Sequence, residues 1–423
     1  MSTLSDKKTA NQLSLLLISI ILGAAAGAVV WLFLIIMSAG MSLVWDILPA
    51  YINLSVYPLL ACTLGGVIVG ISLKLIGSYP EELETVIDKV KQSGRYDACR
   101  IWKVLIAALL PLIFGASLGP EAGLAGVIAL LCTWVGDRMK YVLKEESDMA
   151  QIGIAAALSI LFAAPLFGFM AQVEDADGKT TFPKRQKVIA YLAAILAAFG
   201  VSYMLVESLG GGLHIERFGP ASMSRHEILW FIPIALIGTL AGIGYNLLGA
   251  AFTRLTMPLK KYNSILAILG GIILGLFAIY VPYSLFSGEL ETGEIMAGYQ
   301  AMAPWLLIGI GVMKILITNI CLAAHWRGGH IFPTIFAGIS MGYGVAGLCG
   351  VDPVFAVAAT TTALCGAVMK KPLAVILVML IFFPFKDIIL LTAAAFIGAS
   401  LSPGAKKEAK GWKKKKNSVS GRQ

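Results

Sequence analysis

One segment of this chain combines the residue types that can hold, and then release, a small anion. Residues 115–126 read GASLGPEAGLAG. Glycine lets a backbone approach an ion closely, and Pro120 is favoured as the first residue of a helix, which places Glu121 in its first turn. The free N–H groups of a helix N-terminus carry partial positive charge and attract anions. The Glu121 carboxylate could therefore occupy a binding site that a mobile anion would otherwise fill. Protonation of the carboxylate would make that site available to the anion.

The surroundings of Glu121 favour a functional role for its carboxylate. Apolar sequence lies on both sides of it, over residues 106–118 and 124–131. A plain helix-start carboxylate, stabilised by the helix dipole, is the alternative interpretation. A lone acid at membrane depth is costly, however, and indicates function by default.

A second segment offers anion recognition by the main chain. Gly329, His330 and Ile331 lead into an apolar helix, so the N–H groups of His330 and Ile331 can point into a cavity while the side chains stay apolar. The His330 imidazole is either a proton carrier, a metal ligand or a packed neutral ring. With four histidines in the chain and no partner at ligand spacing, we favour the packed ring and expect neither a metal nor a cofactor.

Two further places carry polar groups with open interpretations. Ser78, in the segment GSYPE, is placed like an N-cap, with Pro80 and two glutamates in the first turn. Its hydroxyl could also donate to a transported ion, and the two roles are compatible. Glu174 and Asp175 follow the helix that Pro165 opens. They are either solvated loop acids or acids that pass protons.

The composition indicates the elements that must position these groups. The 423 residues are 58% hydrophobic and 13% charged, whereas soluble domains have about 25% charged residues. A membrane span needs roughly 20 apolar residues, and several of the apolar runs are shorter than that. Helices interrupted by glycine or proline survive in a membrane only inside protein or beside a watery cavity. We therefore predict an all-α polytopic membrane protein, a bundle with broken helices that meet at an anion site.

The small-residue pairs and the order of the motifs predict how this bundle is organised. Glycines four residues apart suit close helix packing, and they occur at 23 and 27, 66 and 70, and 238 and 242. In each half of the chain a Gly/Pro-broken helix start is followed by Pro-Leu opening another apolar helix. Such internal repeats indicate an ion site between the halves, unless the similarity of the two halves is coincidental. We predict one transmembrane domain over residues 1–402, with halves at about 13–206 and 228–402.

The charge distribution predicts the orientation of the chain. Much of the formal charge of +9 lies in a basic tail, residues 403–423, and the loop 173–187 is also basic. Basic segments favour the cytosolic side and anionic lipid. We expect a multi-pass protein of the plasma (bacterial inner) membrane with both termini in the cytoplasm. Nothing else in the chain supports nucleic-acid binding.

Taken together, the segments resemble the CLC family of chloride channels and proton/chloride antiporters. The three anion-binding segments of that family read roughly GSGIP, GREGP and GIFAP. Here GSYPE at 77–81, GPEAG at 119–123 and GHIFP at 329–333 stand in the same order at similar spacing. APLFGFMAQVED at 164–175 resembles the APLAG…EE stretch of the family. The resemblance covers residues 13 to 402 and indicates a divergent bacterial branch.

The resemblance implies roles for the acids and an assembly. Glu121 matches the gating glutamate of the family. Asp175 matches the internal acid that accepts protons in the antiporters, and Glu174 matches the acid just before it. The family is homodimeric, with one pore per subunit and inverted halves, so a homodimer is expected here.

The resemblance also implies the anion-binding groups, with departures at several of them. The amides of His330 and Ile331 match the backbone ligands of the central anion, and Ser78 approximates the serine ligand. Gly119, Ala122 and Gly329 belong to the same motifs. Pro120 replaces the arginine before the gate, Ala122-Gly123 replaces Gly-Pro, and no tyrosine follows Leu401 to serve as the family's last ligand. Anion selectivity is therefore expected to be loosened.

The leading interpretation is transport of chloride or a similar anion in exchange for protons, with no enzymatic activity. The acids at 174 and 175 favour exchange over a passive channel, which is the first alternative. A cation/proton antiporter would need several acids within the apolar core, and Glu121 is essentially the one that stands out. An intramembrane enzyme would need a nucleophile–base pair or a motif such as HExxH, and the sequence has neither. Lys314 and the acids at 289–294 stay unassigned, since Lys314 can either line a pore or snorkel.

Overall fold

The computed structural model describes residues 2–52, 54–77, 79–93, 96, 100–138, 147–174, 185–212 and 215–402. These residues are almost entirely helical and form no β-strand, which confirms the predicted all-α class. A π-helical turn, Leu43–Ile47, joins the first two helices. The helices are α1 (Ser2–Ser42), α2 (Leu48–Ile52), α3 (Tyr57–Leu75), α4 (Leu83–Ser93), α5 (Ile101–Ile113), α6 (Glu121–Arg138), α7 (Ser147–Leu161), α8 (Phe167–Val173), α9 (Arg185–Leu209), α10 (Arg225–Thr256), α11 (Asn263–Tyr280), α12 (Glu289–Gly298), α13 (Pro304–Ala323), α14 (Ile331–Cys349), α15 (Pro353–Met369), α16 (Pro372–Phe382) and α17 (Ile388–Leu401).

The apolar helices differ in how deeply they are buried inside the protein. Seven helical segments of the described chain are long and apolar enough to cross a membrane. The span in α9 is 28% buried inside the protein, whereas the span in α14 is 89% buried, so α9 lies at the periphery and α14 in the core. Apolar helices too short to span on their own, among them α15 and α16, are packed around α14 or its neighbours. The broken-helix bundle expected from the sequence is confirmed.

The glycine pairs allow helices to pack with their backbones in close contact, as predicted. Gly23 and Gly27 of α1 face the backbone of α9, and Gly66 and Gly70 of α3 face that of α11. Gly238 of α10 lies against α15 so closely that a Cβ atom there would come within 2.2 Å of a backbone carbonyl oxygen. Small residues stabilise helix pairs in membranes because they permit this approach.

The two predicted halves touch near the candidate site. The hydroxyl of Thr318 in α13 donates to the carbonyl oxygen of Ser117, 3.1 Å away, in the segment before α6. The halves at 13–206 and 228–402 stay a prediction, and the tail 403–423 lies outside the described residues.

Replacing Gly238 with alanine is expected to lower the thermal unfolding midpoint of the purified protein. Overpacking a filled interface costs about 1–3 kcal/mol, which exceeds the gain of about 1 kcal/mol from alanine in a helix. Gly244→Ala in the same helix is the matched control, because a Cβ atom at Gly244 would have no neighbour within 4 Å. Equal unfolding midpoints for Gly238→Ala and wild type would show that α10 and α15 are not in close contact.

Candidate functional site

The site forms where the segments before α6 and α14 meet. The N–H of Gly119 donates to the carbonyl of Gly329 at 2.8 Å, and the N–H of Gly329 donates to the carbonyl of Gly119 at 2.7 Å. This antiparallel bridge is the isolated β-bridge of the described residues. It brings two helix N-termini, distant in the sequence, to one place in the core.

The Glu121 side chain occupies the N-terminus of α14. Glu121 is fully buried, and its Oε1 accepts a hydrogen bond of 2.7 Å from the N–H of Ile331. The side chain folds back over both glycines of the bridge. A Cβ atom at Gly329 would lie 1.9 Å from the Glu121 carboxyl carbon, and one at Gly119 would lie 2.0 Å from its Oε2. Glycine is therefore required at both positions for the carboxylate to reach α14.

His330 and Ala122 lie next to Ile331 and Glu121, at the starts of α14 and α6. His330 is the N-cap residue of α14, and its carbonyl accepts from the N–H of Thr334 at 3.1 Å. Its imidazole lies 5.7 Å from the ring of Tyr245, as a packed ring would. Ala122 is buried in the first turn of α6. Among the described residues, no group of three histidine, cysteine or acidic side chains is placed to hold a metal ion.

Glu174 repeats the arrangement of Glu121 at a second helix start. It is fully buried at the end of α8, and its two carboxylate oxygens accept from the N–H groups of Leu373 (3.1 Å) and Ala374 (2.8 Å) at the start of α16. Lys371 lies beside it and donates to the carbonyl of Ala171. The solvated-loop interpretation is therefore wrong for Glu174, because helix N–H groups stabilise it inside the protein. Asp175 lies outside the described residues.

Three phenylalanine rings connect the start of α14, where Glu121 is bound, with the start of α8. The rings of Phe162 and Phe332 stack with their centres 4.8 Å apart, and Phe167 meets Phe162 edge-on at 4.7 Å. Phe332 follows Ile331 in the first turn of α14, and Phe167 begins α8. Since α8 has seven residues, at about 1.5 Å each, Glu174 lies roughly 10 Å along the helix from this aromatic cluster.

The segment around Ser78 differs from its prediction. The sequence analysis predicted a helix whose first turn contains Pro80 and the two glutamates. This prediction is wrong, because α4 begins at Leu83. The Glu81 carboxylate instead pairs with Lys89, 2.6 Å away and two turns into α4. Pro80 packs against α6, with its Cβ 3.5 Å from where a Cβ at Gly126 would lie. Ser78 lies outside the described residues.

A cavity of about 450 Å³ lies beside the segment that leads into Glu121. Its wall includes Pro120, the residue just before Glu121. It also includes acids that the sequence analysis left unassigned. The residues that define it here are Leu118, Pro120, Asp46, Glu289, Glu291 and Glu294.

Lys314 fixes the segment that leads into these acids. It is 1% exposed, so it does not snorkel to the membrane surface. Its ammonium donates three hydrogen bonds to backbone carbonyls and lies 5.0 Å from the centre of the Phe336 ring. The carboxylate of Glu291 also attracts it. The three carbonyls belong to Tyr283 (3.0 Å), Leu285 (2.7 Å) and Phe286 (2.8 Å).

Comparison with known proteins gives a consistent result. A family model described as voltage gated chloride channel matches residues 65–403. YfeO of Escherichia coli strain 55989, a protein named for ion transport, is 25% identical over 343 residues, covering 78% of this chain and 79% of YfeO. The crystal structure of a CLC-type fluoride/proton antiporter has a TM-score of 0.76 at 19% identity and covers 92% of this chain and 95% of that one. A slow cyanobacterial Cl⁻/H⁺ antiporter has the same TM-score at 16% identity, covering 92% and 94%.

Replacing Lys314 with methionine is expected to destabilise the protein. The change leaves three buried carbonyls without their donor, and each such acceptor costs about 1–3 kcal/mol of the free energy of unfolding. The thermal unfolding midpoint of the purified protein measures the effect. Lys74→Met is the control, since Lys74 is exposed near the end of α3. If both variants unfold at the wild-type temperature, Lys314 does not anchor the segment before α12.

Proposed function

Because the chain belongs to the voltage-gated chloride channel family, to which its three motifs pointed, we propose that it exchanges chloride-like anions for protons and is gated by Glu121. Membrane transport of anions is the activity of this family, and its members are not enzymes. What we propose for this protein is the coupling of anion transport to protons and the roles of individual residues in it.

The hydrogen bond between Glu121 and Ile331 carries the proposal. An ionised carboxylate that accepts from a helix N-terminal N–H uses the group that would bind a mobile anion, so the two compete for it. Protonation removes the charge that holds the carboxylate there. The side chain then leaves, and an anion binds the amides of His330 and Ile331. Each cycle of release and return moves an anion one way and a proton the other.

The proposed partner for the proton on the other side of the gate is the pair Glu174 and Asp175. Glu174 supports this assignment because it is a buried acid at the end of α8, beyond the phenylalanine cluster. Asp175 directly follows it and matches the proton-accepting acid of the antiporters by its place in the motif. Two proteins of similar structure are proton antiporters, one for fluoride and one for chloride.

A cation/proton antiporter is less consistent with the way buried acids are used. Asp387 is fully buried and accepts from the N–H of Ala221 at 3.2 Å. Glu227 forms a capping box with Ser224 at the start of α10. Like Glu121 and Glu174, these carboxylates face N–H donors, which repel cations and bind anions. A passive anion channel is the remaining alternative.

The proposed setting is the plasma membrane, with both termini in the cytoplasm and two subunits per assembly. The basic sequence segment at 173–187 and the basic tail support this orientation. The tail would lie on anionic lipid. The dimer follows from family resemblance.

Glu121→Gln is expected to abolish proton movement while anion flux continues. The glutamine amide can still accept from the N–H of Ile331, but it carries no proton through a cycle. Purified protein in chloride-loaded liposomes allows chloride efflux and external pH to be recorded together. Glu207→Gln is the control, because Glu207 is an exposed acid near the end of α9. Opposed proton movement that persists in Glu121→Gln would exclude Glu121 as the gate.

Asp175→Asn is expected to stop proton movement and leave chloride efflux in the same assay. An asparagine cannot accept and release the proton that enters on this side. Asp177→Asn, two residues further along the same loop, is the matched control. A wild-type protein that releases chloride without moving protons would make it a passive channel. Coupling that survives Asp175→Asn would instead remove Asp175 from the path.

A further inference from the structure

The cavity beside the gate brings a second carboxylic acid close to Glu121. Glu289 begins α12 and lines the cavity, as do Leu118 and Pro120 in the segment that leads into Glu121. The charge of Glu121 acts on Glu289, so the two groups are electrostatically coupled. Glu289 is partly buried, with one side open to the cavity.

One oxygen of the Glu121 carboxylate is free to exchange a proton. Oε1 accepts from Ile331, whereas Oε2 is buried and has no hydrogen-bond partner among the described residues. A buried polar atom without a partner is costly unless something else binds it. A proton on Oε2 neutralises the buried charge and so provides the neutral state that the gate needs to open.

The position of Glu289 is held by the fold. Lys314 binds three carbonyls of the segment just before α12, and the N–H of Phe286 donates to the carbonyl of Gly115 at 3.2 Å. This second contact ties the segment directly to residues that precede α6. Gly288, with φ of +91°, turns the chain into α12 against Phe336. Glu289 therefore cannot move away from the gate without breaking this anchored turn.

We infer that Glu289 is the proton-relay residue through which Glu121 exchanges protons with water on the cavity side. The inference rests on the proposed function, since it requires a proton-coupled gate. A proton leaves the Glu289 carboxyl group, passes through water in the cavity and binds Oε2 of Glu121, which then releases the N–H of Ile331. The Glu289 carboxylate regains a proton from water in the cavity. In the reverse direction, Glu121 returns its proton by the same route.

The protonation behaviour of Glu289 suits this role. Burial, together with the charges of Glu291 and Glu121, raises the pKa of Glu289 to about 8. It therefore holds a proton at neutral pH and loses it as the pH rises through about 8. The other charged groups around it are Asp46 and Glu294 in the cavity wall and Lys314, whose charge is directed at Glu291. A neutral Glu289 also repels an entering anion less than an ionised one would.

The test compares Glu289→Gln with wild type in chloride-loaded liposomes at equal internal and external pH. Chloride efflux and proton movement are recorded together at pH 7 and pH 9. Glu294→Gln is the matched control, being an exposed acid on the same helix and the same cavity. We expect Glu289→Gln to lower the proton-to-chloride ratio at pH 7 by about tenfold or more, the scale on which a positioned acid–base group acts. Glu289→Asp should restore part of the ratio.

The pH dependence provides a second readout. In wild type, proton movement should fall between pH 7 and pH 9 as Glu289 ionises, and this fall should be absent in Glu289→Gln. Retained chloride efflux shows that the variant is folded. An unchanged proton-to-chloride ratio in Glu289→Gln, with or without faster efflux, overturns the relay while wild-type coupling stands. A wild type that moves no protons overturns the coupled mechanism and the relay together.

Discussion

The hydrogen bond from the Ile331 N–H to the Glu121 carboxylate is the interaction on which the rest of this structure depends. A buried charge is costly unless donors surround it, so the carboxylate must reach a helix N-terminus inside the core. That requires α6 and α14 to begin within the protein and two facing segments to pair through Gly119 and Gly329. Both requirements explain why α6 and α14 begin in the buried core of the protein.

Backbone N–H groups also stabilise other buried acids of the described chain. Glu174 binds the N-terminus of α16, and Asp387 accepts from the backbone of Ala221. These carboxylates join distant parts of the chain, as a bound anion would, because N–H dipoles stabilise any compact negative charge. Glu121 differs from Glu174 in having an oxygen without a partner and a cavity beside it. Two buried carboxylates can therefore share the geometry of a helix start and differ in how many of their oxygens are hydrogen-bonded.

Lys314 carries a full positive charge inside the protein. Lys314 directs its ammonium at backbone carbonyls and at Glu291, so it holds the fold and offers no binding site for an anion. Partial charges on N–H groups bind an ion more weakly than a lysine would, and conduction needs binding that is weak enough to reverse. Recognition by main-chain groups also fits the apolar side chains of Ile331 and Phe332.

The sequence by itself determined the membrane class, the glycines at 23, 66 and 238 that suit close helix packing, and the motif that places Glu121 in the first turn of α6. Each depends on local composition or on spacings within one helix, which a single sequence displays. Only the tertiary structure decided that the hydrogen-bond partner of Glu121 lies 210 residues away and that Glu174 binds the N-terminus of α16. The same holds for the three backbone carbonyls to which Lys314 donates. The tertiary structure also shows that α4 begins at Leu83 and that Glu289 shares a cavity with Pro120, the residue before Glu121. Such contacts arise from how separate helices pack, and local pattern carries no information about which helix ends will meet.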